Sequence, residues 1–283
     1  MKLANLDGRA VIIEQDGNTE RAIDVERASG GRFGPDPQSL FEEWSDFVAW
    51  GAAIPSAESI EIDAGGLGAP VPSPRQVFAI GLNYAEHAAE AGYPPDEMPV
   101  TFTKFPSSIV GPNAVVELPE GHVDWEVELV VVIAKKTFRV DRENAWEHVA
   151  GLTIGQDLSE RVTQLQGTLP QFSLGKSFPG FGPTGPWLVT PDEFADRDDL
   201  AIECSLSGES MQSSRTSMML YDVPELLVRL SAVCPLLPGD MIFSGTPSGI
   251  GNRRSPQRFI RADDVLVSRI EGIGTLTTHF DNS

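Results

Sequence analysis

A mixed α/β chain, mainly β, whose sheet closes on itself behind a small N-terminal domain is the fold class this sequence predicts. Three observations predict it. Short runs rich in Val, Ile and Leu recur between turns along most of the chain, helical periodicities are few, and one Gly/Pro-rich stretch breaks the pattern early. Residues 2–26 alternate apolar runs such as Ala10-Val11-Ile12-Ile13 with the turn Asp16-Gly17-Asn18, the pattern of a small antiparallel hairpin. Ser39 to Trp50 carries the spacing of a short amphipathic helix. The stretch from Gly65 to Pro74 combines glycine entropy with repeated loss of amide donors, so it reads as a linker. It separates an N-terminal domain, residues 1–70, from a main domain, residues 71–283.

The main domain opens with a strand, Gln76 to Ile80, which Gly81-Leu82-Asn83 turns into a helical stretch from Tyr84 to Ala91, closed by Gly92 and Pro94. The run from Trp125 to Ile133 is a strongly apolar strand. A helix from Asp141 to Ala150 follows, and Gly151 to Asp157 reads as a strand ending in an acid. Further strands cover Asp199 to Leu206, Met241 to Ser244, Asp264 to Ile270 and Gly274 to Phe280, with one helix, Val223 to Val233, among them.

Composition narrows the function classes. With 283 residues, 41% hydrophobic and 22% charged, the chain can bury a large core. No run approaches 18 apolar residues and the first residues turn polar at once, so the expectation is a soluble cytoplasmic protein with no membrane partner. The formal charge of −20 repels nucleic acid and anionic surfaces. An anionic substrate therefore needs a local cation. Cys204 and Cys234 lie in apolar surroundings and read as small buried hydrophobes. Only five of the 21 basic residues are lysines, and two of them, Lys104 and Lys176, stand among Gly, Pro and aromatic residues, where a solubilising lysine is less expected, although loop exposure also fits.

Three groups of residues carry chemistry. Glu126 and Glu128 sit two apart in the apolar run, so both carboxylates project to one face of the strand, together with Val130 and Val132. Two adjacent anions in such a place require a cation or a cluster of donors. With Asp157 from the end of another strand they make an all-oxygen set suited to Mg²⁺, Mn²⁺ or Ca²⁺; a wet strand face is the competing explanation. His87 and Glu90 are three apart on a helix, which suits a base oriented by a carboxylate and equally a surface ion pair. The loops 175–183 and 245–251 combine glycines with hydrogen-bonding side chains, fit for holding an oxyanion or for ordinary turns. Neither has the spacing of a phosphate-binding loop, and no Gly-x-Ser-x-Gly elbow is present.

Taken together the motifs resemble those of the fumarylacetoacetate hydrolase family. Asn83-Tyr84 with His87 and Glu90 is similar to its Asn-Tyr-x-x-His-x-x-Glu helix, Glu126-Val127-Glu128-Leu129 to its Glu-x-Glu-Leu strand, and Asp157-Leu158-Ser159-Glu160-Arg161 with Gln164 to its Asp-x-Ser/Thr-x-Arg-x-x-Gln segment. Gly175-Lys176-Ser177-Phe178 and the segment from Gly245 to Gly251 complete the order. One departure is the Glu160-Arg161-Val162 that stands in place of the common Ala-Arg-Asp. The resemblance covers roughly residues 75–280. It implies a mixed β-roll, closed in barrel-like fashion, that forms homodimers and binds Mg²⁺ or Mn²⁺ through Glu126, Glu128 and Asp157. Substrates would be small 2-keto or 2,4-diketo acids.

The resemblance further implies roles. Lys104, Arg161, Gln164, Gly245 and Thr246 would contact substrate. Lys176 would add positive field at the reacting oxygen, and His87 oriented by Glu90 would activate water. The favoured activity is hydrolysis of an acylpyruvate such as fumarylpyruvate to pyruvate and an organic acid. Isomerisation of an unsaturated 2-keto dioic acid, oxaloacetate decarboxylation and hydrolysis of 2,4-diketo-3-deoxy sugar acids use the same enolate chemistry. A metal-stabilised binding protein is the reading from outside enzymes.

Overall fold

The computed structural model of the protein describes residues 1–16, 19–54, 59–91 and 99–282, and, of Gln15, Asp16, Glu90 and Ala91, the backbone alone. Its centre is the strand Val127–Ile133, buried at all seven positions. Such a run of branched side chains can only sit in a sheet covered on both faces. Val127, Leu129, Val131 and Ile133 enter one core, and Val130 and Val132 enter another. Across the main sheet the strands are ordered Ile60–Glu61, Thr19–Asp24, Arg9–Asp16, Lys2–Leu6, Gly182–Val189, Val149–Gln156, Val127–Ile133, Met241–Phe243, Val77–Gly81 and Val100–Thr103. Pairing is antiparallel except between Met241–Phe243 and Val77–Gly81 on this path. The protein is therefore mixed α/β and mainly β. Among the described residues no ladder joins the two edges, so the expected closure is not made by hydrogen bonds along this sheet.

A second sheet runs Glu209–Arg215, Ala201–Leu206, Val265–Ile270, Gly274–Asn282 and Ala114–Leu118. Ile202, Cys204, Leu206, Leu266, Ile270 and Leu276 share a core with the 127, 129, 131 and 133 side chains, so the larger apolar core lies between the two sheets. A short ladder of Val123–Asp124 with Ser159–Glu160 extends the central strands toward the site.

Several elements differ from the sequence expectation for physical reasons. The segment up to residue 70 does not stand apart from the sheet, since Lys2 and Leu3 pair with Val189 and Leu188. The linker stretch contains a short 3-10 turn, Ala64–Gly66, and Leu67–Gly68 pairs with Leu6 and Asn5. The helix expected over Ser39 to Trp50 is split into the 3-10 segment Pro37–Glu43 and the α-helix Trp44–Gly51. That expected over Asp141 to Ala150 is a 3-10 segment, Arg142–His148, because Val149 already opens the next strand. The strand Gly182–Val189 escaped sequence reading on account of Pro183 and Pro186, which lack an amide donor. It tolerates them because Lys2–Leu6 pairs only with positions 188 and 189, the ladder to Val149–Gln156 shifts register between positions 185 and 189, and Pro183 faces only the two-residue parallel strand Ile109–Val110. The helix Val223–Val233 has the bounds expected of it, with Asp222 capping the Glu225 amide at 2.9 Å. Gly92 and Pro94, read as the stop of the Tyr84 helix, lie outside the described residues.

Candidate active site

The site forms where the central strands run out. Ligand oxygens of Glu126, Glu128 and Asp157 lie within 4.8 Å of one another, and all three side chains are buried. Glu128 belongs to the strand Val127–Ile133. Glu126 does not: the sequence puts both glutamates in one strand, but Glu126 falls in the break after Val123–Asp124. The break has a local cause. The Trp125 amide turns back to Asp124 Oδ1 at 2.9 Å, and the Glu126 amide donates to the Gln156 side chain at 2.9 Å instead of to a strand. Asp157 follows the end of Val149–Gln156, its amide bonded to Glu126 O at 2.9 Å.

Three cations answer these acids. Lys176 Nζ donates to Glu126 Oε2 at 2.9 Å, Asp157 Oδ2 at 2.6 Å and Ser159 Oγ at 2.8 Å. Lys104 Nζ donates to Asp157 Oδ1 at 2.7 Å and to the Lys176 carbonyl. Arg161 forks onto Asp124 Oδ2 at 2.9 and 2.7 Å, reaches Glu126 Oε1 at 2.8 Å, and donates to Gln164 Oε1 at 2.8 Å. Burial works to raise the Glu126 carboxyl, but Lys176 and Arg161 outweigh it and hold the group at about 2. Burial lowers the Lys104 ammonium against the pull of Asp157, whereas Lys176, equally buried, is held above its usual range by Asp157 and Glu126.

Glu128 is the anion left over. Among the described residues it has no ion-pair partner; its one hydrogen bond comes from the Gly245 amide, at 2.7 Å to Oε2. Burial, and then the charges of Asp157 and Glu126, push its carboxyl well above the usual range. A hard divalent cation fits this donor set on two counts: the ligands are all carboxylate oxygens, and the surplus buried acid needs a positive charge beside it. Gly245 can serve Glu128 because it has no side chain. Its φ of +102° is strained for other residues, and a Cβ there would lie 2.6 Å from that of Asn83.

Beside the cradle is a cavity of about 380 Å³. Its lining combines polar and charged Glu126, Lys176, Arg161, Gln164, Thr246 and His87 with apolar Ile80, Val100, Phe102, Leu165, Phe172 and Ile250. His87 sits on the helix Ala85–Ala91, is 6% exposed, and lies close enough for its charge to favour the Glu126 anion. Asn83 anchors that helix: its amide donates to Ser244 O at 2.7 Å and Tyr221 O at 2.9 Å while its carbonyl takes the Tyr221 amide at 2.8 Å.

The structure thus brings His87, Lys176, Arg161, Gln164 and Thr246 to one cavity with Glu126. It puts Lys104 elsewhere, fully buried behind Asp157 and not on the cavity wall, and Gly245 against Glu128. Glu90 is on the same helix as His87, and its side chain is outside the described residues. Sequence reading missed Asp124, which holds Arg161 and accepts the Gly251 and Asn252 amides at 2.7 and 2.9 Å, and it missed Gln156 and Gln212. Asp124 could have been found, since it stands two before Glu126. Nothing local marks the glutamines, which act across more than 25 residues of chain.

Comparison with known proteins gives a consistent neighbourhood. The profile of the fumarylacetoacetate (FAA) hydrolase C-terminal domain matches residues 76–281. The chain is 42% identical over 210 residues to the human oxaloacetate tautomerase FAHD2A, mitochondrial, covering 74% of this chain and 67% of that one. It is 43% identical over 212 residues to 2,4-didehydro-3-deoxy-L-rhamnonate hydrolase of a Sphingomonas species, covering 74% of both. The chain spans about two thirds of the length of the tautomerases it matches. A solved maleylpyruvate hydrolase from a Sphingobium species, in complex with manganese(II) and pyruvate, superposes with a TM-score of 0.82 at 27% identity over the whole of both chains.

Proposed function

The chain belongs to the fumarylacetoacetate hydrolase family, and from that premise we propose that it is a Mg²⁺- or Mn²⁺-dependent hydrolase that cleaves a small acylpyruvate to pyruvate and an organic acid. The observation that carries this reading is the mixed lining of the cavity: cations beside the carboxylate cradle, together with apolar side chains that suit an acyl arm. Glu126, Glu128 and Asp157 would hold the ion, and a bound Mg²⁺ or Mn²⁺ would act as a Lewis acid, stabilising negative charge as it develops on the 2-keto oxygen.

The protein's own groups account for the rest. Gln164 lines the cavity and gives its carbonyl to Arg161, so its amide N–H groups are the donors it would have for a substrate carboxylate. Lys176 holds positive charge at the border between cradle and cavity. The His87 imidazole takes a proton from water, the water oxygen bonds to the distal carbonyl carbon, and the bond from that carbon to the central one breaks. Its electron pair stays on the central carbon, which gives pyruvate once protonated, and the acyl fragment leaves as an acid. The family resemblance gives Glu90, three positions on, the part of orienting the imidazole. The same reading includes a homodimer, for which sedimentation velocity is the check.

A second reading, a tautomerase acting on oxaloacetate, is favoured by the names of relatives about 42% identical. It uses His87 only as a proton carrier and leaves the apolar wall without an occupant. Product identity on a panel of 2-keto and 2,4-diketo acids with Mg²⁺ or Mn²⁺ separates the two. Pyruvate plus an organic acid supports hydrolysis; an unchanged mass with a changed ultraviolet spectrum supports tautomerisation and sinks the proposal.

A further inference from the structure

Gln212 stands on the strand Glu209–Arg215 of the second sheet, 2% exposed, and belongs to none of the motifs that mark the site. Its side chain nevertheless makes three hydrogen bonds there. Oε1 accepts the Val127 amide at 3.0 Å; Nε2 donates to Thr246 Oγ1 at 2.8 Å and to Pro247 O at 2.8 Å. The orientation of the amide is unambiguous. An N–H can only donate and a peptide carbonyl can only accept, so turning the group over would set donor against donor and acceptor against acceptor.

Each contact falls on a part of the site that needs a fixed position. Val127 is the residue between Glu126 and Glu128. Its amide is held by Gln212, as the Glu126 amide is held by Gln156, whose own Nε2 donates to Ser268 Oγ at 2.8 Å. Successive amides of an extended chain point to opposite sides, so two glutamines grip the carboxylate-bearing segment from both. Thr246 is governed by the same side chain. Its hydroxyl accepts from Gln212 and donates its single proton to Val127 O at 2.9 Å, so it has no proton to offer a ligand.

We propose that Gln212 is a positioning residue that sets the spacing of the Glu126 and Glu128 carboxylates and the placement of the 245–247 loop, coupling metal affinity to keto-acid affinity from outside both. This rests on the metal and keto-acid part of the proposed function, not on the bond that is cleaved. Gln212→Glu keeps the acceptor for Val127 but sets an oxygen against Pro247 O and draws the Thr246 proton away from Val127. Gln212→Met keeps the volume and removes all three bonds.

The test is calorimetric titration of Mn²⁺, then of pyruvate into Mn²⁺-loaded protein, on variants whose fold is verified by circular dichroism. Q212M is expected to weaken Mn²⁺ binding about tenfold or more, the range seen when groups that orient metal ligands are lost. Q212E is expected to weaken pyruvate binding by a similar factor and Mn²⁺ binding by less than Q212M does, because the Val127 contact is kept while the 245–247 loop is disturbed. If either variant does not fold, the other decides alone. Lower melting temperatures with both dissociation constants unchanged would reduce Gln212 to a purely structural residue and overturn the inference. Wild-type protein that binds no Mn²⁺ would overturn the metal reading together with this one. Wild-type protein that binds Mn²⁺ and pyruvate but cleaves no 2,4-diketo acid would sink the hydrolase alone and leave the role of Gln212 to these titrations.

Discussion

At the scale of single residues, Glu128 is the group whose protonation matters most. Burial beside Asp157 and Glu126 raises its carboxyl, and ligation requires the anion, so a metal has to displace a proton from it. Mn²⁺ affinity should therefore rise as pH rises above the range of ordinary carboxylates, with protons released on binding; calorimetry in buffers of different ionisation enthalpy measures the release. Glu126, held at about 2 by Lys176 and Arg161 after burial is overcome, contributes no such dependence near neutrality. Glu128→Gln should lower Mn²⁺ affinity by about 100-fold or more, since it removes a ligand and not merely its support. His87→Ala is expected to leave that affinity within about twofold and to lower kcat by roughly 10²- to 10⁴-fold, the usual worth of a general base. A full-speed H87A enzyme would remove histidine from the mechanism. The cradle itself was legible in sequence because acids are conspicuous in an apolar run. Lys104 was recognisable as unusual, but its burial behind Asp157 depends on a contact across 53 residues.

At the scale of elements, glycine and capping positions carry the testable consequences. Gly245→Ala forces a side chain into positive φ and against Asn83, at a cost on the order of 2–3 kcal/mol in urea unfolding, and it should weaken Mn²⁺ binding because the Gly245 amide serves Glu128. The helix Val223–Val233 offers a contrasting case. Asp222→Ala removes its N-cap and a contact to Arg142, and should cost about 1 kcal/mol without altering Mn²⁺ affinity. That helix was read with its bounds because it has a capping acid, Pro224 in the first turn and apolar residues at helical spacing. Gly182–Val189 was missed because its prolines argue against a strand, and the short reach of the Lys2–Leu6 ladder together with the register shift opposite Pro186 explains why they are allowed. Likewise, no periodicity in the sequence separates a 3-10 turn from an α-helix over Arg142–His148.

At the scale of the whole molecule, a protein of formal charge −20 would receive the proposed anionic substrate at a local cluster of Lys176 and Arg161, joined by whatever ion the cradle holds. Long-range repulsion opposes capture, and salt screens it with a length of about 10 Å at 0.1 M. Hence kcat/KM should rise a few-fold between roughly 10 and 200 mM salt, with kcat unchanged, the opposite of what a steered encounter gives. The larger core between the two sheets was foreseeable from the apolar strands, but not their order, which is set by pairings across the whole chain. The mixed lining of the cavity has one more consequence, for how such a protein changes over generations. Its carboxylate cradle is borne by the central strands and their ends, whereas Val100, Phe102, Leu165 and Phe172 belong to separate stretches near 100 and 165–172. Substitutions in those stretches can remodel the chamber for a different acyl arm while the proton and charge chemistry is inherited intact. A lineage built in this way can acquire new substrates without passing through an inactive ancestor.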